Sequence, residues 1–384
     1  MIYFDQAASS FPKPPEVADA MVKAVNEVGA NPGRGGHQLA RQANYIINTA
    51  REKIAKWIGC NNPKQIVFFS NATQALNQAI KGLDWKEGDH VLTTSFEHNS
   101  VRRPLEFIKR TYDIHISYID GKASEEMFIS EVNNSITDKT KLMVMTHASN
   151  ITGDILPLRK MINIAKRYGI ITLVDASQTA GHLPINMGEQ EMDMIVFPGH
   201  KGILGPQGTG VLAVRQQIDL VPLHHGGTGG GSELIDQPQQ WPDRYESGTL
   251  NTPGIAGLSA AISVLEQSEK NNVPRETILT NELLKGLQSI NGITCFGPSS
   301  SDNRLPIVAF NIKNIPSQEV AMILDSHYNI AVRAGLHCSP LTHETLQTMD
   351  QGIIRVSLSR YNTKEEVQSF LQAIEEIVTA YDEF

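Results

Sequence analysis

Ile170-Ile171-Thr172-Leu173-Val174-Asp175 is a β-branched and aliphatic run that stops at a carboxylate and continues as Ala176-Ser177-Gln178. Further along, Met194-Ile195-Val196-Phe197 stops at Pro198-Gly199-His200-Lys201. Two short apolar runs, each ending in groups able to do chemistry, read as neighbouring strands that deliver an acid and an amine to one sheet edge. Working outward, the same kind of run recurs at Gln65–Ser70, His90–Ser95, Ile114–Ile119, Lys141–Thr146 and Gly210–Val214. Helical patterns follow most of these strands, over Ala72–Lys81, Val101–Thr111, Glu125–Ser135 and Leu158–Tyr168. Strands separated by helices of this size imply right-handed crossovers onto a mostly parallel sheet covered on both faces. The fold class is α/β.

The alternation stops at a Gly-rich, irregular stretch from His224-His225-Gly226-Gly227 through Gly229-Gly230-Gly231 to Ser247-Gly248-Thr249. So long an irregular segment inside a compact protein is more often functional than idle. Thr252-Pro253-Gly254 then leads into a helical run from Ile255 to Glu269, and a smaller α/β unit closes the chain. The expected division is therefore 1–255, an N-terminal arm with the large domain, and 256–384, a small C-terminal domain.

Composition narrows the function classes. The 384 residues carry a formal net charge of −8 with scattered Lys and Arg, which argues against a nucleic-acid footprint. No apolar run approaches the roughly 20 residues of a membrane span. The N-terminus, Met1-Ile2-Tyr3-Phe4-Asp5, lacks the pattern of a signal peptide, so the expectation is a soluble, cytoplasmic protein. The three cysteines, Cys60, Cys295 and Cys338, form no Cys-x-x-Cys pair, which argues against a disulfide framework and against a zinc site; no metal is expected. Cys60 and Cys295 read as small buried hydrophobes.

The strand ends collect an unusual set of side chains. Asn71-Ala72-Thr73 opens a helix, where free backbone N–H groups and a hydroxyl make an anion site. Glu97-His98, Ser149-Asn150, Asp175 with Gln178, and Gly199-His200-Lys201 end the following strands. A buried carboxylate requires a cation or a donor, and a protonated pyridine nitrogen is such a partner. A lysine amine in the same cleft can form a Schiff base with an aldehyde, more readily where burial lowers its pKa. His98 can stack on the ring, Asn150 and Gln178 can hydrogen-bond its substituents, and Ala72, Thr73 and His200 can hold a phosphate. A structural Asp175–Lys201 ion pair accounts for each residue singly but poorly for the set.

With these residues the sequence resembles the class V aminotransferase family of fold-type I pyridoxal 5′-phosphate (PLP) enzymes, and within it the cysteine desulfurases and selenocysteine lyases, in a branch similar to group II. The resemblance runs from Phe4-Asp5-Gln6-Ala7-Ala8 to Arg355-Val356-Ser357-Leu358. Its most specific matches are Asp175-Ala176-Ser177-Gln178, Gly199-His200-Lys201 and Arg333-Ala334-Gly335-Leu336-His337-Cys338. It implies a fold-type I transferase, whose large domain holds a mostly parallel seven-stranded sheet covered by helices beside a smaller C-terminal α/β domain. By the same likeness Lys201 is the Schiff-base lysine, Asp175 the pyridinium partner and His98 the stacking histidine. Asn150 and Gln178 then contact the ring, and Thr73 and His200 the phosphate. Thr249 resembles a phosphate contact given to the opposite subunit of a homodimer. Arg355 resembles the arginine that pairs with the substrate carboxylate, and Arg34, in Gly33-Arg34-Gly35-Gly36-His37, another active-site arginine.

The implied reaction converts L-cysteine to L-alanine, leaving a persulfide on Cys338 for an acceptor protein, as in iron–sulfur cluster assembly. Lys201 moves the α-proton and His98 is placed to shuttle another. The attacking species is a thiolate, a minor form of a free cysteine near neutral pH, and His337, Arg333 or the cofactor's charges are candidates to favour it. Two departures stand out. Pro198 replaces a serine common in the family, removing a hydroxyl and a backbone donor from the phosphate cradle. Ser339-Pro340-Leu341-Thr342-His343 differs from better-known members. The alternatives are a selenocysteine lyase, an aminotransferase or lyase in which Cys338 is incidental, and a catalytically silent sulfur-transfer scaffold.

Overall fold

The computed structural model describes residues 1–382 apart from 34, 232 and 269–274. In chain order the elements are β1 (Ile2–Tyr3), α1 (Pro15–Lys23), α2 (Gln38–Trp57), β2 (Ile66–Phe69), α3 (Ala72–Lys81), β3 (His90–Thr94), α4 (Asn99–Tyr112), β4 (His115–Ile119), α5 (Glu125–Ser135), β5 (Thr140–Thr146), α6 (Leu158–Arg167), β6 (Ile171–Asp175), β7 (Met194–Pro198) and β8 (Gly210–Val214). They are followed by α7 (Thr252–Ser268), α8 (Arg275–Ser289), β9 (Ile293–Phe296), β10 (Ile307–Ile312), α9 (Ser317–Tyr328), β11 (Ile330–Ala331), β12 (Arg333–Gly335), α10 (Pro340–Leu346), β13 (Ile353–Ser357) and α11 (Lys364–Asp382).

The large sheet has seven strands in the order β2-β8-β7-β6-β5-β3-β4. Only β8 runs against the rest, so the expected mostly parallel sheet is present. The central strands are buried along most of their length, as continuous aliphatic runs require when helices cover both faces. Helix α3 starts where Asn71 Oδ1 accepts from the Gln74 N–H (2.9 Å), and its apolar side, Ala75, Leu76, Ala79 and Ile80, is fully buried. Among the described residues no helix or strand lies between Val214 and Thr252, as the Gly-rich composition implies.

The smaller unit is a four-stranded antiparallel sheet, β12-β13-β10-β9, with α8, α9 and α11 against it. Packing redraws the division expected at residue 255. Ile255, Leu258, Ile262 and Leu265 of α7 are buried in the core of the large sheet, so α7 belongs with the larger unit; Glu269, the expected end of this helix, lies outside the described residues. At the other end, β1 pairs in parallel with β11, and Phe4 is buried in the smaller unit's core against Phe370. The chain thus starts in the smaller unit and crosses at once to the larger one. Burying four aliphatic side chains at roughly 1.5–3 kcal/mol each outweighs any preference of the Thr252-Pro253-Gly254 turn for ending a domain.

Candidate active site

Strand ends supply one wall of the site. A cavity of about 180 Å³ is lined by Ala72, Thr73, His98, Asn150, Asp175, Gln178, His200 and Lys201, with Ser100, Thr146, Ser177 and Pro198 among their neighbours. Eight of the expected residues therefore converge. Their convergence follows from the parallel sheet: β5, β6 and β7 all present their carboxyl ends on this side, with Thr146 opposite Asp175 and Asp175 opposite Val196 in register.

The electrostatics are those of a dry cleft. Asp175 is buried, and Oδ1 accepts from the Ser177 N–H at 2.9 Å. Burial raises its pKa, while Ser177 and the Lys201 charge oppose the rise. Lys201 is partly accessible through the cavity, yet protein surrounds its amine densely enough to lower its pKa to about 8, against the pull of Asp175. Among the described residues this amine makes no hydrogen bond.

His98 is the N-cap of α4: its Nδ1 accepts from the Ser100 N–H at 3.0 Å. A backbone amide can only donate, so the neutral ring carries its proton on Nε2. Burial, helped by the charges of Lys201 and Arg333, lowers the His98 pKa to about 4, which keeps the ring neutral. Ser100 Oγ lies 2.9 Å from that Nδ1 and 2.8 Å from Thr73 Oγ1, tying His98 to the first turn of α3. Nothing in the spacing of Ser100 marks it, because a serine near a helix start is ordinary.

The cavity fits the group expected from the sequence. The amides of Ala72 and Thr73 sit in the first turn of α3, whose cap bond goes to Gln74 instead, so they are free for an anion. His200 Nδ1 is buried without a partner at the same end. Pro198 lines this end and offers neither hydroxyl nor N–H. A buried carboxylate and an unpaired amine complete the set.

Cys338 comes from the other unit. It is exposed, whereas Cys60 is buried and Cys295 half-buried. Its carbonyl accepts from the Asn99 N–H at 2.7 Å, beside His98, so the smaller unit places the thiol's backbone at the cleft. His337 (φ 49°) and Cys338 (φ 59°) are consecutive non-glycine residues in the left-handed region, at a cost on the order of 1 kcal/mol each. The imidazole of His337 turns away from the thiol: it is buried, Nε2 donates to the Ile353 carbonyl (2.9 Å), and burial holds it neutral. This removes His337 as a source of positive charge. Arg333 Nη2 instead makes a long contact with Cys338 Sγ at 4.0 Å.

Three expected residues lie elsewhere. Arg355 is 1% exposed and does not line the cavity; Nη2 pairs with Asp5 Oδ1 and Nη1 donates to the Asn150 carbonyl, both at 2.8 Å. Arg355 Nε is buried without a partner among the described residues. Thr249 is exposed and lines a separate cleft of about 940 Å³, together with Gly227, Gly248 and Arg51. That segment is anchored by a buried bidentate pair, with Arg51 Nη1 and Nη2 at 2.9 and 2.8 Å from the Glu246 carboxylate oxygens. Arg34 lies outside the described residues.

Sequence reading names Asp5 and Glu97 but gives neither a role. Glu97 is fully buried below the cleft; Oε1 accepts from Thr94 Oγ1 (2.7 Å) and from the Thr146 N–H (2.8 Å), while Oε2 has no partner. Burial, reinforced by nearby Asp175, raises its pKa to about 8.

Comparison with known proteins agrees with this geometry. A protein from Methanothermobacter thermautotrophicus that bears the name probable cysteine desulfurase is 34% identical over 98% of this chain and 94% of its own length. Another of that name from Pyrococcus abyssi is 32% identical over 98% and 94%. The apo structure of a cysteine desulfurase from Thermococcus onnurineus superposes with a TM-score of 0.91 at 32% identity, over 99% of this chain and 95% of the other. The family model for class-V aminotransferases matches residues 2–370, and the chain belongs to that family.

Proposed function

We propose that this protein is a PLP-dependent cysteine desulfurase that forms alanine and a persulfide on Cys338. The observation that carries the proposal is the bond from the Asn99 N–H to the Cys338 carbonyl, which sets an exposed thiol beside the cavity of Lys201 and Asp175. An aminotransferase has no need of such a thiol at that place.

When bound, the cofactor supplies an aldehyde for the substrate amine and a ring that accepts the charge left by the departing α-proton. Ala72, Thr73 and His200 would hold its phosphate, Asp175 its pyridinium nitrogen, and His98 the face of its ring. Gln178 would meet the ring edge. Its Nε2 also donates to the Ala7 carbonyl (3.2 Å), which steadies the side chain. Lys201, with an amine near pKa 8, is a competent acceptor and donor for the α-proton. Arg355 would take the substrate carboxylate by exchanging it for Asp5. Cys338 Sγ attacks the substrate sulfur: an S–S bond forms, the C–S bond breaks with its electron pair going to the substrate β-carbon, and that carbon takes a proton. No external oxidant or reductant enters, and alanine leaves. His98, which lines the cavity with its proton on Nε2, would be available to this exchange as a hydrogen-bond donor.

We also read the protein as a homodimer that passes sulfur to an acceptor protein. Supporting this, exposed Thr249 lies on an anchored Gly-rich segment outside its own chain's Lys201 cavity, suited to serve a partner's site.

The test is Cys338→Ala. It should bind the cofactor and cysteine as the wild type does and release at least about 100-fold less sulfide, since loss of a nucleophile is rarely compensated. Undiminished sulfide release would remove Cys338 from the reaction and leave an aminotransferase or simple lyase as the better reading.

A further inference from the structure

Two adjacent left-handed residues hold their conformation only where the surroundings over-determine it. At His337 and Cys338 the bonds from Asn99 and to Ile353 are joined by one side chain that acts on both flanks of the thiol. Asn150 Nδ2 donates to the His337 carbonyl at 2.9 Å, and Asn150 Oδ1 accepts from Ser339 Oγ at 2.7 Å. The amide therefore brackets Cys338, one bond before it and one after. Asn150 follows β5 in the larger unit and Ser339 belongs to the smaller, so the bracket also joins the two units. Both side chains are buried, Ser339 completely, and among the described residues the Ser339 hydroxyl makes no other hydrogen bond. Asn150 lines the cavity, yet its carbonyl oxygen and one of its amide protons are engaged with this turn rather than held free for a ligand.

We propose that Ser339 is a positioning residue which, through Asn150, locks the Cys338 turn so that Sγ stands within reach of the substrate sulfur. The proposal rests on the desulfurase reading above and concerns the sulfur-transfer step alone. Cofactor binding and α-proton removal use Lys201, Asp175 and the α3 amides, to which Ser339 makes no hydrogen bond among the described residues. Asn150, expected at the ring, keeps its second amide proton for that contact. Near-attack geometry tolerates little error, and a turn released from its left-handed conformation moves its side chain by more than that tolerance.

The experiment compares wild type, Ser339→Ala and Ser339→Thr holoenzymes on two substrates. L-Cysteine requires Cys338. β-Chloro-L-alanine does not, because chloride departs with the C–Cl electron pair once the α-proton is lost. Ser339→Ala should lower kcat for sulfide release about ten-fold, the worth of one buried hydrogen bond acting on geometry, with KM for cysteine little changed. Chloride release should stay within about two-fold of wild type, which also shows that the variant is folded. Alkylation of Cys338 by iodoacetamide, followed by peptide mass, should quicken about three-fold as the turn loosens. Ser339→Thr keeps the hydroxyl and should recover most of the sulfide rate.

Equal sulfide rates for Ser339→Ala and wild type would overturn the proposal, and so would sulfide and chloride falling together. A wild type that makes no sulfide would instead sink the desulfurase reading, while the alkylation rates would still report whether Ser339 holds the turn.

Discussion

Lys201 and Cys338 sit in opposite kinds of surroundings. The amine of Lys201 is enclosed by protein and has no hydrogen-bond partner among the described residues, whereas the Cys338 thiol is exposed on a backbone pinned by Asn99, Asn150 and Ser339. On the proposed function, the contrast amounts to two ways to prepare a nucleophile. Withholding solvent lowers the amine's pKa and makes it reactive without fixing it to anything. A sulfur in the proposed role has to be held by its backbone, because its side chain would stay open both to the substrate and to an acceptor.

The sharpest way to break this comparison is Lys201→Ala. It should abolish turnover and leave no pyridoxyl group at position 201 after borohydride reduction and peptide mapping. A pyridoxyl group found on another lysine would transfer the whole role elsewhere. Next in size is the pH dependence of cofactor capture by the cofactor-free protein. Lys201 is reactive when neutral, and its pKa is lowered to about 8. The capture rate should therefore climb about five-fold from pH 7 to 8 and level off above pH 9. A climb continuing to pH 10 would mean that burial leaves the amine as basic as in water. His98, with its pKa lowered to about 4, should add no limb to the activity profile between pH 5 and 8.

Glu97 probes the floor of the Lys201 side. Its folded pKa is raised to about 8, so the folded state keeps a proton that the unfolded chain gives up near pH 4.5. Wild-type stability is then lost progressively as pH rises from about 4.5 to 8, and is lost no further above that. Glu97→Gln has no such proton, so its Tm relative to wild type should move upward by several degrees between pH 5 and 8. A constant Tm difference would show that Glu97 ionises normally. The smallest effect is expected at Asp5→Asn. Removing the carboxylate that occupies Arg355 should lower KM for cysteine about three-fold, consistent with loss of one competing charge. A higher KM would instead show Asp5 to be holding the guanidinium in place.

Much of the Lys201 side is legible in the sequence. Asp175, Lys201, Asn150 and His98 each follow a recognisable strand, and a parallel sheet brings such positions to one edge without further instruction. Ala72 and Thr73 are legible for the same reason, as the opening of a helix after β2. The Cys338 side is less so. The motif marks the cysteine, but His337 turns inward to the Ile353 carbonyl, and the cation in contact with the thiol is Arg333. The resemblance marks Arg355, yet its partner, Asp5, is separated from it by most of the chain.

Local pattern therefore determined the seven strands of the large sheet, the helices between them and the order in which their functional ends appear, because backbone propensity and side-chain period act over a few residues. Tertiary structure alone decided that α7 joins the larger core, that β1 joins the smaller unit, that Asp5 sits on Arg355 and that Asn150 grips both flanks of Cys338. Those outcomes depend on which buried polar atoms and apolar faces meet after the chain has closed, and a hydrogen bond between distant segments leaves no periodic trace in either of them.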